Sequence, residues 1–121
     1  MEKVVFNFEK LMVYQKSLDL MDIVYQTTKS FPKDELYNLT SQFKRASLSI
    51  CLNISEGHGD TDKQFNRYLK IALHSTKECV TCSTAARRQG YITEDVDNSF
   101  RVKLEELSKM IAGLRKKLVI K

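Results

Sequence analysis

Asn53-Ile54-Ser55-Glu56-Gly57-His58-Gly59-Asp60 is the stretch on which the fold turns. It follows Ala46 to Leu52, a run of small and apolar residues without charge. Two glycines then flank His58, and Asp60-Thr61 leads into a new amphipathic pattern. Glycine tolerates the left-handed conformation that commonly ends a helix, so Gly57 and Gly59 read as a helix stop. Thr61-x-x-Gln64 reads as a capping box that starts the next helix. The stretch is therefore a helix–turn–helix junction. Glu56 stands at the negative end of its helix, which argues for a specific cationic partner, with Arg45 the candidate.

Working outward, four helices follow from apolar period and punctuation. The first covers about residues 11–30, with Leu11, Tyr14, Leu18, Met21, Tyr25 and Thr28 as its stripe. Phe31-Pro32 ends it, because a residue before proline disfavours the α region. Residues 32–38 form a short helical turn with Pro32 at its first position. The second helix spans about 40–56, capped by Thr40, with Phe43, Ala46, Ile50, Ile54 and Gly57 facing inward. Its other faces between 46 and 55 are also small or apolar, which points to subunit contacts as well as a core.

The third helix covers about 61–89 and stops at Gly90; Phe65, Leu69, Ala72, Thr76, Cys79, Ser83 and Ala86 face inward. The fourth, capped by Thr93, covers about 94–119, with Phe100, Leu104, Leu107, Ile111, Leu114 and Leu118 as its stripe. Short connections between long helices favour an all-α, antiparallel up-down-up-down four-helix bundle. The whole of 1–121 reads as one domain.

The 121 residues carry 20 Lys+Arg against 15 Asp+Glu, a net charge of +5. The excess lies at the end, where Arg101, Lys103, Lys109, Arg115, Lys116, Lys117 and Lys121 face only Glu105 and Glu106. Mild basicity suits an anionic partner. No secretory signal opens the chain, and no apolar run approaches a bilayer-spanning length, so the expected location is the cytoplasm with no membrane partner. Cys51, Cys79 and Cys82 read as buried small hydrophobes, and the half zinc motif Cys79-x-x-Cys82 has no second pair of ligands. No nucleotide-binding or nucleophile-elbow motif occurs. Glu56, His58, Asp60 and Asp62 read as loop and helix-terminal polar groups. No catalytic residue, metal or cofactor is expected.

The strongest functional pattern is on the third helix. Lys63, Arg67, Lys70, His74 and Lys77 recur at steps of four and three, and Thr81, Thr84 and Arg88 continue the series. At 100° per residue they occupy a wedge of about 80–100°. A cationic, hydroxyl-bearing stripe of this kind can track a phosphate backbone. The plainer reading is a solvated polar face. No aromatic residue interleaves with it, so base stacking is not indicated.

Several pieces together resemble a known family: Phe8-x-x-Leu11-x-Val13-Tyr14-Gln15, Phe31-Pro32-x-x-Glu35-Leu36-Tyr37, Leu39-Thr40-Ser41-Gln42, Arg45-Ala46-x-x-Ser49-Ile50, and Asn53-Ile54-Ser55-Glu56-Gly57. Their order and spacing are similar to those of the four-helix bundle proteins encoded in intervening sequences of bacterial 23S rRNA genes. A more distant similarity is to the accessory variability determinant of diversity-generating retroelements. Tyr14 stands where the family often has Trp, and His74-Ser75 where it tends to have Gly-Ser. The resemblance implies a bundle assembling into a homo-oligomeric ring, typically a pentamer, without enzymatic activity. It marks Arg45, Asn53, Glu56 and Gly57 as signature positions, with Asn53 and Glu56 expected at a helix end or subunit seam and Gly57 in the turn. The distant relative implies RNA, or a nucleic-acid enzyme, as a partner. The competing expectation is a structural or protein-interaction adaptor without nucleic-acid contact; an enzyme ranks third.

Overall fold

A computed structural model describes residues 1–120; Lys121 lies outside the described residues. Four helices form, α1 (Met12–Thr28), α2 (Leu39–Gly57), α3 (Asp62–Arg88) and α4 (Glu94–Lys117), with short 3-10 turns at Asn7–Lys10 and Lys33–Glu35. There is no strand among the described residues. Each helix packs on its neighbours in sequence, and α1 closes the ring of contacts against α4. The most extensive contact is α2 on α3. This is the four-helix bundle expected from period and punctuation.

The inner stripes of α2 and α3 are buried as expected, as are Phe100, Leu104, Leu107 and Ile111 of α4. Phe43 and Phe100 meet across the bundle with ring centroids 5.2 Å apart, tying α2 to α4 through the core. The core face of α1 differs from the expected one. Val13, Ser17, Leu20, Val24 and Thr28 are the buried set. Leu11, Tyr14, Leu18, Met21 and Tyr25 are only half-buried beside them. Ser17 hid this face from a hydrophobicity reading, while Thr28 is buried as expected. Their hydroxyls donate to the carbonyls of Tyr14 (2.6 Å) and Val24 (2.9 Å), so burial leaves neither unsatisfied.

The small residues of the α2–α3 and α3–α4 seams carry hydroxyls that cross between helices. Ser75 Oγ lies 2.8 Å from Ser49 Oγ, and Thr76 Oγ1 lies 3.2 Å from Ser108 Oγ. Among the described residues no buried side-chain nitrogen or oxygen lacks a partner. Cys51, Cys79 and Cys82 are free and buried, and burial pushes the Cys82 thiol up to about 11. Burial pushes Cys79 further still. All three pack as small hydrophobes. No helix of the described residues is long and apolar enough to cross a membrane.

The helix ends refine three expectations. Thr61 Oγ1 accepts from Gln64 N at 3.2 Å, and Thr93 Oγ1 from Val96 N at 3.2 Å. The Thr61 amide, however, is bound by Asp60 Oδ1 at 2.7 Å, not by Gln64, so Asp60 supplies the second half of the cap. Gly90 stops α3 as expected, at φ +78°, while Tyr91 N donates back to Ala86 O at 2.8 Å.

Thr40 does not cap α2. That helix begins one residue earlier, and Thr40 is buried in its first turn. Pro32 is the residue before its turn, not the first within it. The carboxylate of Glu35 replaces the expected cap. It accepts from Asn38 Nδ2 (2.9 Å), from Leu39 N (3.4 Å) and from Tyr91 OH (2.8 Å). The Tyr91 and Asn38 hydrogen bonds hold this carboxyl below its usual range. Phe31 packs on Tyr91 at 5.4 Å, so the α1–α2 connection is strapped to the α3–α4 loop.

Candidate nucleic-acid interface

Gly57 positions the α3 face. It is the last residue of α2 and not a left-handed glycine; only Gly59 (φ +88°) and Gly90 take positive φ. A Cβ on Gly57 would lie 2.8 Å from Tyr68 Cβ and 2.9 Å from Phe65 Cδ1. The residue is glycine because α3 crosses at closest approach there. Gly59 alone makes the turn.

From that crossing α3 runs 27 residues, about 40 Å at 1.5 Å per residue. Lys63, Arg67, Lys70, His74, Lys77, Thr81 and Arg88 are all exposed, and Thr84 is half-buried at the edge of the stripe. None of the six basic side chains makes an ion pair among the described residues. Salt bridges form elsewhere, at Lys16–Glu106 (2.8 Å), Lys109–Glu105 (3.3 Å) and around Asp97. The face is thus a row of uncompensated charge. The acids of its own segment are Asp60 and Asp62 at the helix start and Glu78 outside the stripe. Asp62 accepts from Val119 N at 2.9 Å, which folds the end of the chain against the start of α3.

Lys70, His74 and Lys77 line a groove of about 240 Å³ with Ser108 and Arg115 of α4. Arg115 Nε donates to Asn66 Oδ1 at 2.9 Å. The stripe and the basic end of α4 therefore form one surface. At the opposite end, Asp97 is buried and accepts from Ser83 Oγ (2.6 Å), Arg87 Nε (3.0 Å) and Arg101 Nε (3.1 Å). Burial pushes the Asp97 carboxyl up. Its hydrogen bonds from Ser83, Arg101 and Arg87, with the Arg101 charge, outweigh that and hold it below its usual range. Arg101 also donates to Thr84 Oγ1. Arg87 and Arg101 escaped the sequence reading, because they belong to the surface only through packing. The i,i+4 pair Asp97–Arg101 was the visible signal.

The signature positions divide. Asn53 lies in the last turns of α2. It is half-buried, and its Nδ2 donates to Ser49 O (2.8 Å) and Ser49 Oγ (3.0 Å), continuing to Ser75 on α3. Arg45 and Glu56 are exposed and make no ion pair with each other or with any described residue. They are eleven positions apart, too far along the axis of one helix to meet. They share one outer face of α2 with Leu52, which is 56% exposed. No group of His, Cys, Asp or Glu among the described residues is arranged to hold a metal ion.

Residues 9–113 match the family model described as 23S rRNA-intervening sequence protein. A crystal structure of a protein with unknown function from the S23 ribosomal protein family, from Bacteroides thetaiotaomicron VPI-5482, superimposes with a TM-score of 0.80. That chain is 24% identical, and the match covers 88% of this chain and 100% of that one. No curated protein matches. The bundle and the span of the family match agree: this chain belongs to the 23S rRNA-intervening sequence protein family.

Proposed function

We propose that this protein is a non-enzymatic, homo-oligomeric bundle of the cytoplasm that binds structured RNA through the outer face of α3. The observation that carries the reading is the run of exposed cations Lys63, Arg67, Lys70, Lys77 and Arg88, with the imidazole of His74 in line, without one intrachain ion pair among the described residues. Fixed cations at helical spacing displace counterions from a phosphate backbone. The ring, with five subunits favoured, is supported by the outer face of α2, where exposed Leu52 sits between an unpaired Arg45 and an unpaired Glu56.

The test is Lys63→Ala with Arg67→Ala and Lys70→Ala. The triple variant keeps its helical circular dichroism and loses about 2–3 in the slope of log affinity against log salt for a structured RNA. An unchanged slope moves the site off α3. The second reading, an adaptor for another protein such as a nucleic-acid enzyme, is supported by Leu36 and Tyr37, 49% and 94% exposed on the α1–α2 connection. Co-purification of a protein without RNA, lost in Tyr37→Ala, selects it.

A further inference from the structure

Two arginines of α4 are held in the same way at the two ends of the α3 face. Arg101 spends Nε on Asp97 and one terminal nitrogen on Thr84. Arg115 spends Nε on Asn66. Neither guanidinium forms a bidentate fork with a carboxylate, so each keeps terminal N–H donors free on a fixed head. They stand 14 positions apart on one helix, about 21 Å along its axis. Arg115 lines the groove with Lys70, His74, Lys77 and Ser108, which no carboxylate or aromatic side chain lines; Arg101 stands about two turns of α4 beyond Ser108 on the same side. Of the acids of α4, Glu106 pairs with Lys16 of α1 and Glu105 with Lys109, while Asp97 on the α3 side is taken up by Ser83, Arg87 and Arg101 Nε.

We infer that Arg101 and Arg115 grip phosphates at the two ends of a surface shared by α3 and α4, and that its ligand is a duplex RNA stem. The inference rests on the RNA reading above and adds a second helix and a ligand shape. Donors held at a fixed separation suit a rigid backbone. A flexible single strand gains most of its affinity from stacking on aromatic rings, which this groove lacks. Duplex RNA is recognised by shape, through phosphates and 2′-hydroxyls. Ser108, Thr81 and Thr84 supply hydroxyl partners along the same line.

The experiment is fluorescence anisotropy of the full chain with a labelled RNA duplex and with one of its strands, across 50–200 mM salt. The proteins are wild type, Arg101→Gln, Arg115→Gln and the double variant. Lys103→Gln, on the α1 side of α4, is the control. Wild type binds the duplex more tightly than the strand. Each arginine variant loses about fivefold in affinity and about 0.9 in salt slope, the double variant about twice that slope, and the control nothing. Circular dichroism checks folding; Arg115→Gln touches no buried charge and stays informative if Arg101→Gln unfolds. Duplex binding with unaltered slopes in both variants overturns the role of α4 and leaves the α3 reading standing. Preference for the single strand overturns the duplex. No binding of either RNA at 50 mM salt overturns this inference and the reading beneath it together.

Discussion

The outer faces of α2 and α3 are both exposed and both free of intrachain ion pairs among the described residues, yet they are built on opposite plans. On α2 an arginine, a leucine and a glutamate share one side, so the face carries both signs and an apolar centre. Such a face complements a protein surface, including another copy of itself. On α3 the charges have one sign and extend for most of the helix length. A second copy would repel it, while a polyanion would not. The same bundle thus presents one surface suited to self-association and another suited to phosphate. Gly57 lets the end of α2 lie close against Tyr68 and Phe65 of α3.

The largest effect is expected where both faces are disturbed at once. Gly57→Ala places a methyl group against Tyr68 Cβ and Phe65, neither of which is the free end of a flexible chain. The expected loss is about 1–3 kcal/mol in urea unfolding, and Gly57→Val loses more. Gly59→Ala, in open space at φ +88°, costs about 1 kcal/mol from backbone conformation alone. Equal losses at the two glycines would show that close approach does not govern Gly57.

Asp97→Asn comes next and touches only the α3–α4 side. It removes a buried carboxylate that holds two arginines, and about 1–2 kcal/mol should be lost near neutral pH; the arginines are partly solvated, which limits the cost. Because the folded carboxyl titrates below its unfolded value of about 3.9, its stabilisation is complete above that pH. It disappears as pH falls through the folded value. Acid unfolding followed by circular dichroism should therefore show the wild type and Asp97→Asn converging as pH falls below the unfolded value. Curves that stay parallel into acid would remove Asp97 as an ionised anchor.

The smallest effect on folding, and the sharpest separation of the two faces, is expected from Leu52→Asp with Glu56→Lys. These exposed changes leave monomer stability within about 0.5 kcal/mol. Light scattering should nonetheless show smaller particles, while the salt slope for RNA per subunit stays as in wild type. The α3 triple variant should do the reverse. If the α2 variants left particle size unchanged, self-association would have to use another surface.

Much of this was legible in the residues. Helix-period apolar stripes located α2, α3 and α4, Thr61 and Thr93 marked two starts, and Gly90 marked a stop, because caps and periodicity are local physics. The cationic stripe was legible for the same reason: residues three and four apart share a helix face wherever the helix goes. The core face of α1 was misread, Thr28 apart, because Ser17 is buried with its hydroxyl returned to its own backbone, which no hydrophobicity pattern registers. Arg45 and Glu56 were expected to meet and do not, since one straight helix cannot bring them together.

By itself the sequence determined the helices, their order, the bundle, and which cations share one side of α3. Only the tertiary structure decided that Gly57 is a contact glycine, that Glu35 caps α2 and straps the far loop, that Arg115 lines the same groove as Lys70 and Lys77, and that Arg101 meets Thr84 of α3. Those facts depend on distances between helices. Local chemistry sets where a chain coils; the packing of one helix on another sets which of its exposed groups become neighbours.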